Sequence, residues 1–446
     1  MAGLAGGDIA WVLMSTALVA LMVPGLAFFY GGLVHNKSTL NTMLMCLGAL
    51  AMVTVQWVLC GYSLAFGPGS RWLGGLAWVG LQGVSANPNA TYAPALPQLL
   101  FTAFQGMFAG ITVALVAGAV IDRMRYAAYL AFGLLWTTLI YDPLAHWVWG
   151  DGGWLRALGA LDFAGGTVVH ISAGVTALVL AHWLGPRRDF KRVPTVPHNV
   201  PFTLLGAGLL WFGWFGFNAG SALAADGIAA NALLTTHASA AAALLTWLLL
   251  EARRGGRATA VGAATGAVVG LVAITPAAGF VTPLAALLIG ALAAPCSFFA
   301  LHYRATTRVD DTLDVFACHG VAGIAGAVLT GVFASRNVNP NGADGLLSGN
   351  AGLVGVQLLA VVATIAFAAI GSVAILAVLG RVMSLRVPLD VEVMGIDLAE
   401  HGEEAYHGSD LSDLAGRSTP LGDAVLLPAD ALRRRVGCTP AIFRQD

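Results

Sequence analysis

Charge is what this chain of 446 residues has least of. Only 10% of it is Asp, Glu, Lys or Arg, against 58% hydrophobic residues and a mean hydropathy of +0.79. A soluble chain of this length needs about a quarter of its residues charged to cover its surface, which argues against one large soluble domain. The net charge of -1 offers nothing to a nucleic acid. Cysteine is scarce too: Cys46, Cys60, Cys296, Cys318 and Cys438 are scattered, odd in number and without ligand spacing. No disulfide framework and no metal site is therefore expected. No basic stretch precedes the first apolar run, and that run, Ile9 to Gly32, is too long for the core of a signal peptide. It reads as a retained first span. No nucleophile has a base in a context that suggests hydrolysis, so neither an enzyme nor a cofactor is expected.

What the chain has instead is apolar runs. Eleven of them, parted by Gly, Pro or charge clusters, cover 9–32, 40–66, 98–121, 126–145, 163–184, 201–219, 227–250, 259–275, 281–301, 313–334 and 353–379. Taken alternately, one set of loops holds fourteen basic residues, among them Lys37, Arg123, Arg187, Arg254 and Arg386. The other set holds Arg71, Arg156 and Arg336 alone. The positive-inside rule puts the first set in the cytoplasm, with the N-terminus outside and the C-terminus inside. Loops 67–97 and 335–352 then face outward. From about Val387 acidic residues accumulate, which divides a membrane domain, 1–386, from a cytoplasmic tail, 387–446. Within that tail 423–435 has the pattern of an amphipathic helix or of a disordered segment.

The organising stretch is Asp162-Phe163-Ala164-Gly165-Gly166-Thr167-Val168-Val169-His170-Ile171-Ser172-Ala173-Gly174. Eight helical residues at ~1.5 Å each put His170 roughly 12 Å beyond Asp162, about the middle of a bilayer's apolar core. The device recurs as Asp311, His319 and Gly323, so both segments read His-x-x-Ala-Gly. Their spans run in opposite directions. That predicts two inverted five-helix halves plus one added helix, in an all-α membrane protein of eleven transmembrane helices. A histidine in hydrocarbon faces a bundle interior or a pore, or makes a structural hydrogen bond. Two at one depth favour the pore, where neutral imidazoles share a proton. Asp162 either binds a cation or caps the fifth span, and the cap is the favoured reading.

Aromatic residues cluster toward the outer ends: Trp149, Phe104, Phe108, Trp214, Phe215 and Phe217. Singly they are interfacial anchors. Together with the hydroxyl of Ser221, their ring faces would suit a weakly hydrated monovalent cation with N–H donors.

These motifs resemble the Amt/Mep/Rh ammonium transporter family, and its bacterial Amt branch in particular. The resemblance runs over 8–408 and includes Pro24–Leu33, Ala103-Phe104-Gln105-Gly106, Ala145-His146-Trp147-Val148-Trp149-Gly150, Asp162–Ile171, Gly213–Ser221 and Asp314–Gly320. It implies a homotrimer in the cytoplasmic membrane with a path for ammonium, ammonia or methylammonium through each subunit. Phe108, Trp149 and Ser221 would bind the cation, supported by Asp162. Phe108 and Phe217 would form a gate, and His170, His319, Trp214 and Tyr30 would line the pore. In the tail, Gly395, Asp397, His401, Gly402, Glu403 and Tyr406 match regulatory positions, which implies a PII (GlnK-type) signal protein as partner. Thr312-Leu313, where relatives often have Pro-Cys, and the extension after His407 depart from the pattern. The competing readings are an ammonium sensor that signals through the tail, and a neutral gas channel of the Rh type.

Overall fold

The computed structural model describes residues 4–193 and 196–406. Its helices, in chain order, are α1 (Gly6–Leu33), α2 (Asn36–Phe66), α3 (Gln98–Ala117) and α4, 126–149, in the pieces Tyr126–Trp136, Thr137–Tyr141 and Asp142–Trp149. Then come α5 (Gly166–Leu184), α6 (Val200–Ala222), α7 (Gly227–Gly255), α8 (Ala260–Ile274), α9 (Pro283–Thr306), α10 (Phe316–Phe333) and α11 (Gly352–Val382). Nine of them, among the described residues, are long and apolar enough to cross a membrane. The others are α8, 15 residues long, and α4, which carries the buried Asp142 and His146. The chain is an all-α, multi-pass membrane protein with one small hairpin, β1 (Pro88–Asn89) and β2 (Ala93–Pro97), in a loop.

The helices differ from the predicted spans at their ends, for two reasons. The fifth and tenth spans, predicted from 163 and 313, begin at Gly166 and Phe316. In each an aspartate stays outside the helix and accepts its first N–H groups: Asp162 from Gly165 and Gly166 at 2.7 and 2.6 Å, Asp311 from Phe316 at 2.8 Å. At the other ends α7 runs to Gly255 and α9 to Thr306, past the predicted 250 and 301. Hydropathy falls there, but Arg253, Arg254 and Arg304 suit the negative end of a helix dipole, so the helix continues.

Backbone crossings through glycine hold the bundle together. A Cβ on Gly206 of α6 would lie 2.2 Å from the amide nitrogen of Phe29 on α1. One on Gly174 of α5 would lie 2.3 Å from the amide nitrogen of Gly320, and one on Gly323 of α10 would lie 3.2 Å from Cβ of His170. The repeated His-x-x-Ala-Gly thus works reciprocally, since the glycine after each histidine makes room for the backbone that carries the other. Both helices also open with a π turn, Gly166–Ile171 and Phe316–Val321, which re-aims the side chains on it.

The basic end is tied down by ion pairs. Arg187 meets Asp310 with Nε and Nη2 at 2.8 and 2.9 Å, and Asp122 with Nη1 at 3.2 Å. Burial pushes both carboxyls up, but His35 and Arg187 hold Asp122, and Arg187 holds Asp310, below the ordinary carboxylate value. Thr312, the departure noted above, accepts from the buried Arg123 at 2.8 Å.

Residues 388–405 pack on this end. Lys37 Nζ donates to the carbonyls of Glu392 and Val393 at 3.0 and 2.7 Å. The carboxylate of Asp397 caps α2 through the amides of Leu40 and Asn41 at 2.9 and 2.7 Å, and Glu400 accepts from Tyr126, the first residue of α4, at 2.9 Å. His401 Nε2 lies 2.9 Å from Oδ1 of Asn41. Gly395 has φ +114° and stands where a Cβ would be 2.8 Å from that of Lys37. Gly402 has φ +69°, and Glu403 is exposed. The first compact unit ends at Ala405. The stretch 423–435, read as an amphipathic helix or a disordered segment, lies outside the described residues.

Gly174→Val should force α5 off α10 and cost about 2–3 kcal/mol in thermal or denaturant unfolding in detergent. Gly355→Ala, whose Cβ meets nothing within 4 Å, should cost nothing.

Candidate functional site

At the hairpin end a cavity of about 210 Å³ opens among Tyr92, Gln105, Phe108, Trp149, Phe163, Ser221 and their neighbours. Three helices and two loops bring these side chains together. Phe108 stands on α3 one turn beyond Phe104, and the two rings meet at 4.9 Å. Trp149 closes α4 and presents its ring to Phe108 at 6.2 Å and 88°. Ser221, at the end of α6, donates its hydroxyl hydrogen to the carbonyl of Phe217 at 2.8 Å and keeps its lone pairs for a donor in the cavity.

Trp149 is aimed by the loop before α5. Its Nε1 donates to the carbonyl of Asp162 at 2.9 Å. The Asp162 carboxylate in turn accepts from the amides of Gly165, Gly166 and Thr167 and from the Thr167 hydroxyl. Gly165 has φ +108°, and any side chain there would press on Val169 and Trp149. Gln357 of α11 clamps the same loop from behind: it accepts from the amide of Leu161 at 2.8 Å and donates to that residue's carbonyl at 2.8 Å.

The floor of this cavity is a pair of rings. Phe108 and Phe217 stack at 4.2 Å and 25°, and both are buried. Below them lies a narrow, apolar cavity of about 10 Å³ walled by Ile111, Val169, Trp214 and Phe217, with His170 and His319. That is room for about one water-sized molecule. The two imidazoles face each other with their Nδ1 atoms 3.3 Å apart and their rings 22° from parallel. Trp214 stacks on His170 at 5.4 Å and is held by its Nε1 on the Thr275 hydroxyl at 2.9 Å. Nε2 of His170 is buried without a partner among the described residues.

Beyond His319 a third cavity, of about 390 Å³, widens toward the basic end, lined by Phe29, Tyr30, Arg187, Lys191, Arg304, Asp314 and Cys318 among others. Tyr30 spends its hydroxyl on the carbonyl of Leu115 at 3.0 Å, so its ring alone serves as wall. Arg304 pairs with Asp314 at 2.7 Å; burial pushes that carboxyl up to about 7 against the pull of the arginine. Three cavities thus lie in series, parted by one ring stack and one imidazole pair.

The profile described as Ammonium Transporter Family matches residues 10–406 of this sequence. The chain belongs to that family. It is 47% identical over 404 residues to the ammonium transporter of Bacillus subtilis, which covers 90% of this chain and 99% of that protein. With the ammonium transporter Amt1 of Archaeoglobus fulgidus it shares 43% over 401 residues, again 90% and 99% of the two chains. Among solved structures, Mep2 of Candida albicans aligns with a TM-score of 0.83 at 37% identity, over 91% of this chain and 92% of that one. A protein described as a Sensor Amt Protein aligns with a TM-score of 0.82 at 29% identity, over 89% and 98%.

Not every residue marked in the sequence of this Ammonium Transporter Family member lines the path. The carboxylate of Asp162 is taken up, as the favoured cap reading has it, by the first amides of α5 and does not line the outer cavity. Phe215 turns away from it toward His237, 6.2 Å between rings. Two positioning residues, Gln357 and Thr275, went unmarked. A glutamine inside a 31-residue apolar helix was the available signal, since such a residue needs a polar partner.

Asp162→Ala should orphan four backbone amides, those of Gly165, Gly166, Thr167 and Val168, release Trp149 and abolish substrate-dependent transport. Asp162→Asn keeps one acceptor oxygen, so thermal unfolding should rank wild type, then Asn, then Ala. The alanine loss should be about 2–3 kcal/mol or more.

Proposed function

We propose that this chain conducts ammonium across the cell's inner membrane as a member of the bacterial Amt branch. The observation that carries the reading is the His170–His319 pair, buried in series behind the Phe108–Phe217 stack. The cation is recruited between Phe108, Trp149 and Ser221, where ring faces replace part of its hydration shell. The ring stack leaves no passage for a hydrated ion, so deprotonation near it releases ammonia into the narrow cavity. Two Nδ1 atoms 3.3 Å apart hold one hydrogen between them. If His170 carries it, Nε2 of His170 is an acceptor toward the lumen; if His319 carries it, Nε2 is a donor. Passing that hydrogen from His170 to His319, while Nε2 of His170 takes up a proton and Nε2 of His319 gives one up, keeps both rings neutral and turns the lumen-facing Nε2 from acceptor to donor, which suits a separate path for the proton. Ammonia leaves past Tyr30 into the inner cavity.

The same proposal takes α1 to α11 as eleven crossings, N-terminus outside and C-terminus inside, in two inverted five-helix halves plus α11. Matching glycine crossings of α1 with α6 and of α5 with α10 support the halves. Three such chains would assemble as a trimer. The stretch 387–446 is taken as the regulatory tail of membrane domain 1–386, with Gly395, Asp397, His401, Gly402, Glu403 and Tyr406 coupling it to a PII-type protein. Asp397 and Glu400, which cap α2 and α4, supply the physical link. Likeness to a Sensor Amt Protein keeps a sensor as the second reading. A gas channel of the Rh type is disfavoured by the Trp149 and Ser221 cavity.

Current recorded from proteoliposomes after an ammonium pulse separates these readings. Wild type should carry current, and His170→Ala/His319→Ala, shown to be folded, should lose it by about tenfold or more. His170→Glu should conduct but admit potassium, because a fixed charge at that depth attracts any monovalent ion. Wild-type current and selectivity in the double mutant would make the histidines structural; a silent wild type would favour the sensor. Truncation after Arg386 should lower activity or remove the response to PII protein, and wild-type behaviour in both assays would make the tail passive.

A further inference from the structure

We infer that Gln105 is a further selectivity residue of the outer cavity, its side-chain oxygen accepting a second N–H bond from the cation beside the one taken by Ser221. The inference rests on the reading of that cavity as the place where ammonium is recruited. Gln105 lies three residues before Phe108 on α3, so the two side chains leave the same face of the helix. Both line the same cavity as Trp149 and Ser221. Oε1 of Gln105 is buried and has no hydrogen-bond partner among the described residues. An amide oxygen taken out of water and left unpaired is costly, and on a residue that lines the cavity it is an acceptor that a bound N–H donor would satisfy.

Charge sharpens the point. Among the residues that line the cavity no carboxylate occurs, and Arg156 is the one charged side chain. Its Nη1 donates to the carbonyl of Trp149 at 2.7 Å, which fixes a positive group at the rim. A cation entering here meets no counter-charge and is held by ring faces and neutral oxygens. Ring faces attract potassium and ammonium alike. Directional acceptors do not: ammonium satisfies two oxygens with two of its tetrahedral N–H bonds and turns the others to the rings. Potassium has no N–H to give and needs more oxygens than these two to replace its water. Gln105 therefore discriminates by counting donors, and it does so without the fixed charge that would draw in every monovalent ion.

The test uses the full-length protein in liposomes, with ammonium-dependent current read against ammonium concentration and against added potassium. Gln105→Leu should raise half-saturation about tenfold, the size of one hydrogen bond to a charged donor, while the maximal current stays within about twofold. Gln105→Glu keeps length and adds a fixed charge; it should lower half-saturation and let potassium compete. Trp149→Leu, measured in parallel, reports on the cavity itself. If Trp149→Leu shifts half-saturation and both Gln105 variants match wild type, Gln105 plays no part and the recruitment site stands. If none of the three shifts it, the recruitment site falls and the inference with it. A Gln105→Leu protein whose maximal current drops at unchanged half-saturation marks a packing role and overturns the proposal. Should Gln105→Leu fail to insert, Gln105→Glu alone decides, since wild-type half-saturation without potassium competition is then the refuting result.

Discussion

Two imidazoles in contact inside hydrocarbon are the constraint on which the rest of this structure depends. Each ring nitrogen there needs a partner, and water is too scarce to supply one. The Nδ1 atoms solve the problem for each other at 3.3 Å, but only if two helix backbones approach to van der Waals contact. That demand explains Gly174, where a Cβ would collide with the backbone of Gly320, and Gly323, where one would crowd the carbonyl of Gly166 and the Cβ of His170. It also accounts for the π turns on which both histidines stand, since the extra residue swings each ring off the ordinary helical track. Function and packing share these residues, so neither can be altered alone.

A second layer of structure holds the mouths of the path. At the hairpin end one carboxylate, Asp162, gathers the first amides of α5, while its own carbonyl fixes the Trp149 ring. Gln357 pins the loop against α11 and α10 through the carbonyl of Ala327 at 3.1 Å. The Trp149 ring is thereby oriented by hydrogen bonds rather than by a neighbouring charge. The outer cavity stays uncharged except for Arg156, in keeping with recruitment by quadrupoles and dipoles.

At the basic end the logic is electrostatic. Arg187 draws Asp122 and Asp310 from two different loops, and removal of that arginine would strand buried carboxylates. The stretch 388–405 adds caps rather than bulk: Asp397 on α2 and Glu400 on α4 satisfy amides that helix starts leave open. A segment that touches helix ends in this way is coupled mechanically to both helices it caps.

Much of this was legible in the sequence, for a physical reason. Long apolar runs must bury their backbone polar groups internally, so composition and length already imply a bundle of spanning helices. A histidine in such a run is expensive enough to be informative, and its repetition eight residues after an aspartate marked both rings, while the cap was read for Asp162 alone. Hydropathy could not locate the ends, because Asp162 and Asp311 cap from outside the helix while arginines extend α7 and α9 beyond the apolar stretch. Nor could it assign partners. Whether Ser221, Gln105 and Trp149 share a cavity, and whether Phe215 or Phe217 faces it, depends on π turns and on three helices meeting. Those are distances between residues far apart in the chain, and a local pattern carries no information about them. The sequence determined that a polar pair lay deep in an apolar bundle; tertiary packing decided that the two rings touch, because only folding brings α5 and α10 into backbone contact.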